Sequence, residues 1–277
     1  MSSTEPGAAR ASVLFGLANP STVGDIALLA ASIARHRHAP AAALSVLHTG
    51  SLGAMAAPRV AELIDHADGL FTTARERVAS SGVELLTELR LARSPADGIL
   101  GAAKDLAAEW IVLGHPRQAD GAAFDAIVEA VAGADVAHVI VASILGSIPA
   151  CGRVLVPVTH PSHLADCAAV ANALTSGGGD ALVLDIVSSE ASERDVRAAE
   201  EELDQVAREV MPNCQREVRR ADSKVHAILE ASKEAHMVLL RADTRKGLSR
   251  FFFGSLANEI AARAECTVLM LHPKDTG

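Results

Sequence analysis

The sequence predicts an α/β protein that contains two copies of one parallel-sheet fold. Residues 13–21 and 154–162 share an apolar run that is followed by a polar residue, Pro and Ser. Two further pairs recur in the same order, residues 96–102 with 225–231 and residues 138–141 with 267–270. Repeated segments in a fixed order indicate a duplicated structural unit. Continuous apolar runs are typical of strands buried on both faces of a parallel sheet.

The first half of the chain alternates predicted strands and helices after a polar tail at residues 1–10, which we expect to be disordered. An apolar strand at 12–17 ends before Pro20 and Ser21, which favour the start of a helix that extends to about residue 35. An amphipathic helix at 58–80 precedes an alternating segment at 83–91 that predicts a strand. The remaining elements are strands at 41–47, 110–113 and 138–142 and helices at 95–107 and 124–131.

The second half repeats this order. Its predicted strands are 153–158, 181–187, 217–221, 237–240 and 267–271, and its helices are 162–174, 190–210, 224–231 and 255–263. Helices that alternate with apolar strands indicate α/β halves with a parallel sheet. We expect one domain at 11–146 and a second at 152–277, joined by a short linker that contains Gly146, Pro149 and Gly152.

Composition excludes several classes of protein. A net charge of -9 disfavours nucleic-acid binding, which needs a basic face. The 4 cysteines are scattered, and no C-x-x-C spacing indicates a zinc or redox site. The polar first ten residues and the lack of a long apolar run predict no leader and no membrane span. We therefore expect a soluble, cytoplasmic protein without metal or nucleic acid and without direct membrane insertion.

The best candidate for a site follows the strand at 237–240. Ligands of such folds bind at the carboxyl ends of the strands. There a loop with Arg245, Lys246 and Arg250 leads to Gly254 and Ser255, which open a helix. Free N–H groups at a helix start and basic side chains both favour an anion. The alternative is that Gly254 and Ser255 only cap the helix and that the basic side chains form a solvated face.

This segment resembles the nucleotide-binding loop of the universal stress protein family, and the chain past the tail resembles the tandem, two-domain form of that family. The family motif is a strand, Gly, two residues, Gly, nine residues, and then Gly with Ser or Thr. Gly254 and Ser255 match its last two positions, whereas Arg241 and Thr244 replace its first two glycines. The resemblance implies two tandem Rossmann-like domains of the HUP type, each with a five-stranded parallel sheet flanked by helices.

The resemblance also implies where a ligand would bind. On the base and ribose side it places Asp185 and Thr159, the latter where the family usually has Asp. His48 is interpreted as the counterpart of Asp185 in the first half. The residues implied on the phosphate side are Arg241, Thr244, Gly247, Gly254 and Ser255.

The first half departs further from the family motif. Gly114 keeps the first glycine and Arg117 takes the second, but Asp125 and Ala126 stand where Gly and Ser are expected. A carboxylate there would oppose a phosphate. ATP or ADP is therefore expected only in the second domain, with no cofactor certain.

Two other motifs have plainer interpretations. Residues 176–179 resemble a glycine-rich phosphate loop, but they leave a predicted helix and enter a strand, so we interpret them as a helix stop. His160 and His163 have a spacing that could share a metal, but no third ligand is evident and Pro161 favours a turn.

No arrangement of residues indicates a catalyst. We therefore expect a non-catalytic stress-response or regulatory module that senses a nucleotide or small anion through its second domain. Two alternatives stay open, an ATP-binding protein with slow ATPase or autophosphorylation activity and a cytoplasmic regulatory partner of a membrane transporter. We also expect a homodimer that pairs the apolar edges of the final strands, because pairing protects such edges from aggregation.

Overall fold

A computed structural model of the chain describes residues 10–48, 57–115, 121–149, 152–158, 160–242 and 254–274. The chain divides into two compact units, Met1–Val139 with Lys274–Gly277 (the first unit) and Ile140–Pro273 (the second unit). The paired strands within each unit run parallel. The predicted α/β fold with a parallel sheet flanked by helices is thus confirmed, whereas the domain bounds 11–146 and 152–277 stay a prediction.

The first unit alternates strands and helices, and its strands lie in the order β3-β2-β1-β4. Val13 of β1 lies opposite both Ala41 of β2 and Trp110 of β4, so β1 is central. The elements are β1 (Val13–Gly16), α1 (Val23–His36), β2 (Ala41–His48), α2 (Ala57–Val78), β3 (Leu85–Ala92), α3 (Pro95–Asp105), β4 (Trp110–Gly114), α4 (Gly121–Gly133) and β5 (His138–Ser143), the strand within which the two units divide.

The second unit repeats this arrangement with the strand order β10-β9-β6-β7-β8. Its central strand β6 pairs with β7 on one side and β9 on the other. The chain therefore changes direction across the sheet at β6, which is the position where parallel sheets open a crevice at their carboxyl ends. The elements are β6 (Arg153–Val158), α5 (Leu164–Thr175), β7 (Asp180–Val187), α6 (Glu193–Val210), β8 (Gln215–Arg220), α7 (Lys224–Ser232), β9 (Met237–Arg241), α8 (Gly254–Arg263) and β10 (Thr267–His272).

Buried apolar strands hold each unit together. Leu14 and Phe15 of β1 are fully buried, as are Leu155 of β6 and Leu239 of β9. Burying such a side chain contributes roughly 1.5–3 kcal/mol. Small residues such as Ala42 let the helices approach the sheet closely, which explains how a chain with 3% aromatic residues forms compact cores.

Side-chain caps fix the starts of several helices. The hydroxyl of Ser94 accepts the Asp97 backbone N–H at the start of α3, and Ser223 does the same at α7. At α6, Ser192 and Asp195 form a reciprocal capping box. This box explains why α6 begins at Glu193, rather than at residue 190 as predicted.

Two further sequence interpretations can be compared with the structure. The prediction that α4 begins at residue 124 is wrong, because the helix begins at Gly121 and Asp125 lies inside it. Asp125 therefore lies one turn inside the helix and not at its start. The glycine segment at 176–179 is a turn between α5 and β7 in which the Gly178 N–H donates to Thr175, so the helix-stop interpretation is confirmed.

Membrane-spanning segments can be assessed for the described ranges. Within them, no helix combines the length and the apolar character that crossing a bilayer requires.

Candidate functional site

A cleft opens in the second unit at the carboxyl ends of β6, β7 and β9. Its enclosed volume is about 20 Å³, and the space rises to about 410 Å³ only when the open solvent at its mouth is included. Apolar side chains make up most of its lining, and a thiol, a histidine and two cationic side chains complete it. The lining residues are Pro157, Val158, His163, Cys167, Ile186, Lys224, Ile228, Leu240, Arg241 and Leu256.

Three helix starts border the cleft. His163 immediately precedes α5, Lys224 is the first residue of α7, and Leu256 lies in the first turn of α8. Helix starts carry partial positive charge and N–H groups that have no partner within the helix. Together with the side chains of Lys224 and Arg241, this arrangement favours a negatively charged group above an apolar floor.

Arg241 is held in the cleft by an ion pair. Its Nε atom donates to Oδ2 of Asp166 on α5 at 2.5 Å. The side chain of Arg241 is 22% exposed and that of Asp166 is 36% exposed, so solvent only partly screens the pair. Arg241 is therefore neither a solvated side chain nor a fully available anion ligand.

The first unit shows which features of the cleft are specific to the second. Val13 and Val154 occupy equivalent positions opposite Trp110 and Met237, so the last residues of β4 and β9 correspond. Every basic residue of the cleft has a counterpart without positive charge. The counterparts of His163, Lys224 and Arg241 are Thr22, Pro95 and Gly114.

In the first unit a core side chain lies close to the counterpart of Arg241. A Cβ atom added to Gly114 would lie 3.3 Å from Cδ1 of Ile26. Ile26 is the counterpart of Cys167, which has a smaller side chain. The second unit thus has a smaller side chain at this lining position than the first unit has.

Cys167 is a lining residue but not a nucleophile. Its side chain is 1% exposed, and burial raises the pKa of its thiol to about 12. The neighbouring Asp166 carboxylate raises this pKa further, while Arg241 lowers it. A thiol with such a pKa stays protonated near neutral pH, so Cys167 contributes shape and not reactivity.

Asp185 lies beside the cleft and not in its lining. Its neighbour Ile186 lines the cleft, and successive side chains of a strand point to opposite faces of the sheet. Asp185 is 7% exposed, its Oδ1 atom accepts the N–H of Ile186 at 2.8 Å, and burial raises the pKa of its carboxyl group. The positive charge of Lys224 opposes that rise in pKa. Lys224 therefore acts on the Asp185 carboxylate as well as lining the cleft.

The sequence interpretation that made His48 the counterpart of Asp185 is wrong. Val13 lies opposite Ala41, and its equivalent Val154 lies opposite Ala181. Continuing this register makes Ser45 the counterpart of Asp185, and both are 7% exposed. The misassignment arose because the polar ends of β2 and β7 were matched without knowledge of the register.

The structure brings together some of the predicted site residues. Arg241 lines the cleft, and α8 begins at Gly254, two positions before the lining residue Leu256. Ser255 is the second residue of α8, but its side chain lies outside the described part of the structure. Three other predicted residues also lie outside the described residues, namely Thr159, Thr244 and Gly247.

Sequence reasoning missed two residues of the site. Lys224 could have been predicted from nearby residues, because it follows the N-cap Ser223 at the ligand edge of the sheet. Asp166 could not have been predicted in this way, since its contact with Arg241 joins residues 75 positions apart. His163 was noticed only as a candidate metal ligand.

His160 and His163 lie with their ring centroids 6.0 Å apart and tilted. Among the described residues, no group of three or more His, Cys, Asp or Glu side chains could hold a metal ion. His163 instead belongs to the lining of the cleft.

A second basic segment, on β8, is internally neutralised. Arg216 pairs with Asp204 at 2.9 Å, and Arg219 pairs with Glu217 at 2.7 Å. Arg220 pairs with Glu193 at 2.7 Å. Arg216 and Arg220 thus tie the edge strand to α6, whereas the pair of Arg219 lies within β8 itself.

Comparison with known proteins agrees with this architecture. Residues 150–272 match the model of the Universal stress protein family. A comparison with curated proteins finds no match.

Solved structures resemble the chain over almost its full length. A universal stress protein from Archaeoglobus fulgidus DSM 4304 has a TM-score of 0.65 and 16% identity, covering 97% of this chain and 98% of its own. The cytoplasmic domain of a prokaryotic cation chloride cotransporter has a TM-score of 0.63 and 14% identity, covering 97% of each chain. A putative universal stress protein from Pseudomonas aeruginosa UCBPP-PA14 has a TM-score of 0.59 and 14% identity, covering 96% and 94%. At these identities the likeness is one of fold.

Proposed function

Because residues 150–272 match the Universal stress protein family, we propose that the chain is a non-catalytic regulatory module that senses a small organic anion through the cleft of its second unit. Nucleotides belong to this class of ligand. One observation carries the proposal: His163, Lys224 and Arg241 surround the cleft, while their counterparts in the first unit carry no positive charge. Two copies of one scaffold thus differ at the three positions that an anion would contact.

The lining of the cleft indicates the shape of the ligand. An anionic head group would contact Lys224 and Arg241, which donate charge-assisted hydrogen bonds. An apolar or planar body would rest on Val158, Ile186 and Ile228. Inorganic phosphate can contact the two basic side chains but not the apolar surface. We therefore expect an organic phosphate such as AMP to bind more tightly.

The non-catalytic part of the proposal rests on the chemistry around the cleft. Its thiol, Cys167, is protonated near neutral pH because burial raises its pKa to about 12. The described residues contain no cluster suited to a metal ion. Slow ATPase or autophosphorylation remains the competing function, and measurable Mg²⁺-dependent hydrolysis of ATP by the purified chain would overturn our choice.

Titration calorimetry with AMP tests the binding part of the proposal. Binding should occur with one site per chain, and Lys224→Ala should weaken it roughly 10- to 100-fold, as expected for the loss of a hydrogen bond to a charged group. Lys104→Ala is the matched control, since Lys104 is an exposed lysine of α3 in the first unit, and it should leave the affinity unchanged. Equal effects of the two substitutions, or two sites per chain, would contradict the proposal.

A second candidate function is regulation of a membrane transporter. It is suggested by the cytoplasmic domain of the cation chloride cotransporter, which shares the fold over 97% of both chains. The proposal would gain support if crosslinking of the full chain in source-cell membranes recovered a transporter. Recovery of soluble proteins alone would count against it.

We also propose a homodimer, but the predicted contact through the edges of residues 139–142 and 268–271 is wrong, because within the second unit β10 lies between β9 and residues 140–143 of β5. Light scattering should give twice the mass of one chain at micromolar concentration, and a stable monomer would contradict the assembly.

A further inference from the structure

Asp166 is a carboxylate in the otherwise basic surroundings of the cleft. It lies in the first turn of α5, where its Oδ2 atom accepts a hydrogen bond from Arg241 at 2.5 Å. The side chains of Asp166 and Arg241 are 36% and 22% exposed. A ligand anion that contacts Arg241 therefore approaches a fixed negative charge at short range.

The first unit shows that the scaffold itself does not require this pairing. Asp25 is the counterpart of Asp166, and its Oδ1 atom lies 3.9 Å from an Nη atom of Arg77 on α2. No side chain exists at Gly114, the counterpart of Arg241. The same acid therefore contacts a neighbouring helix in one unit and the cation of the cleft in the other.

Repulsion between Asp166 and a bound anion grows in proportion to the charge of that anion. We propose that Asp166 lowers the affinity of the cleft for a multiply charged anion more than for a singly charged one, so that a small organic anion with a single charge or a single phosphate group is favoured, relative to a nucleoside triphosphate, more than it would be without this carboxylate. This inference rests on the proposed function of the cleft. Asp166 thus sets specificity by disfavouring the wrong ligand instead of by binding the right one.

Two probes of similar shape and different charge test the inference. Phenyl sulfate carries one negative charge, and phenyl phosphate carries nearly two at pH 8, because its second ionisation lies near pH 6. Both offer a ring to the apolar floor. Affinities are measured by calorimetry at low ionic strength for the full chain and for Asp166→Asn, which keeps an acceptor oxygen and removes the charge.

The expected gain in affinity from Asp166→Asn is roughly 3- to 10-fold for phenyl sulfate. For phenyl phosphate the gain in the logarithm of affinity should be about twice as large. Asp166→Glu, which keeps the charge, should give no comparable gain. Asp25→Asn, the matched change in the first unit, should leave both affinities unchanged.

The outcomes separate the inference from the function on which it rests. If the unmodified chain binds the probes and Asp166→Asn leaves the affinities unchanged or lowers them, the inference is overturned while the anion site stands. If neither protein binds either probe, although circular dichroism shows both folded, the proposed function falls and the inference with it. Asp166→Ser replaces Asp166→Asn in these measurements if the asparagine variant does not fold.

Discussion

Acidification should destabilise the second unit through His272, at the end of β10. This side chain is 3% exposed, and burial lowers the pKa of its imidazole to about 4 from the ordinary 6.5. The unfolded chain therefore binds a proton in a pH range where the folded chain does not. The stability associated with neutral His272 is fully present above about pH 6.5 and is lost as the pH falls towards 4.

The size of the effect follows from the two pKa values. Relative to pH 7, the free energy of unfolding should fall by about 2 kcal/mol at pH 5 and by about 3 kcal/mol at pH 4. Asp185 acts in the opposite direction, because burial raises the pKa of its carboxyl group and its folded form gains stability on protonation. A comparison of variants is therefore needed to isolate the contribution of His272.

Urea denaturation followed by far-UV circular dichroism at pH 7, 6 and 5 provides the assay. His272→Leu removes the titrating group and should reduce the loss of stability at pH 5 by about 2 kcal/mol. His226→Leu is the control, since His226 is exposed on α7, and it should keep the acid sensitivity of the unmodified chain. Equal acid sensitivity of His272→Leu and the unmodified chain would refute the reasoning.

Three further predictions concern packing, reactivity and capping. Gly98→Ala should cost about 1–3 kcal/mol, because the new Cβ would lie 2.6 Å from Cγ1 of Val46, whereas Gly133→Ala, with no atom within 4 Å, should cost nothing. Thermal denaturation of the two variants checks this difference, and equal destabilisation would contradict it. Iodoacetamide should modify Cys167 about 1000-fold more slowly in the folded than in the unfolded chain at pH 8, because burial raises its pKa to about 12. Peptide mass spectrometry checks the rate, and rapid labelling of the folded chain would show that the thiol is accessible. Ser192→Ala should cost about 1 kcal/mol through loss of the capping box of α6, and an unchanged urea midpoint would contradict that role.

Local sequence signals were sufficient for most of the fold. Strands such as β6 are apolar runs that the sequence itself displays, and their burial on both faces follows from parallel pairing. The start of α4 was misplaced because a family motif was aligned across a loop that differs in length between the halves. The helix in fact begins at Gly121, so Asp125 falls within it.

The candidate site was only partly predictable, because its chemistry depends on contacts between distant segments. Arg241 could be placed at the ligand edge from the end of its strand, but its pairing with Asp166 joins residues 75 apart. The counterpart of Asp185 depended on strand register, which a polar residue near a strand end does not fix. The position of Lys224 was predictable from the local sequence, since Ser223 marks the start of its helix.

The central proposal is that the cleft of the second unit, bordered by Lys224 and Arg241, binds an anion. The most direct test is anomalous diffraction at the arsenic edge from crystals soaked in phenylarsonate, the arsenic analogue of phenylphosphonate, which offers a ring and an anionic group as phenyl phosphate does. We predict one arsenic peak per chain, within contact distance of Lys224 and Arg241. No peak in the cleft, or an equal peak beside Gly114 in the first unit, would contradict the claim.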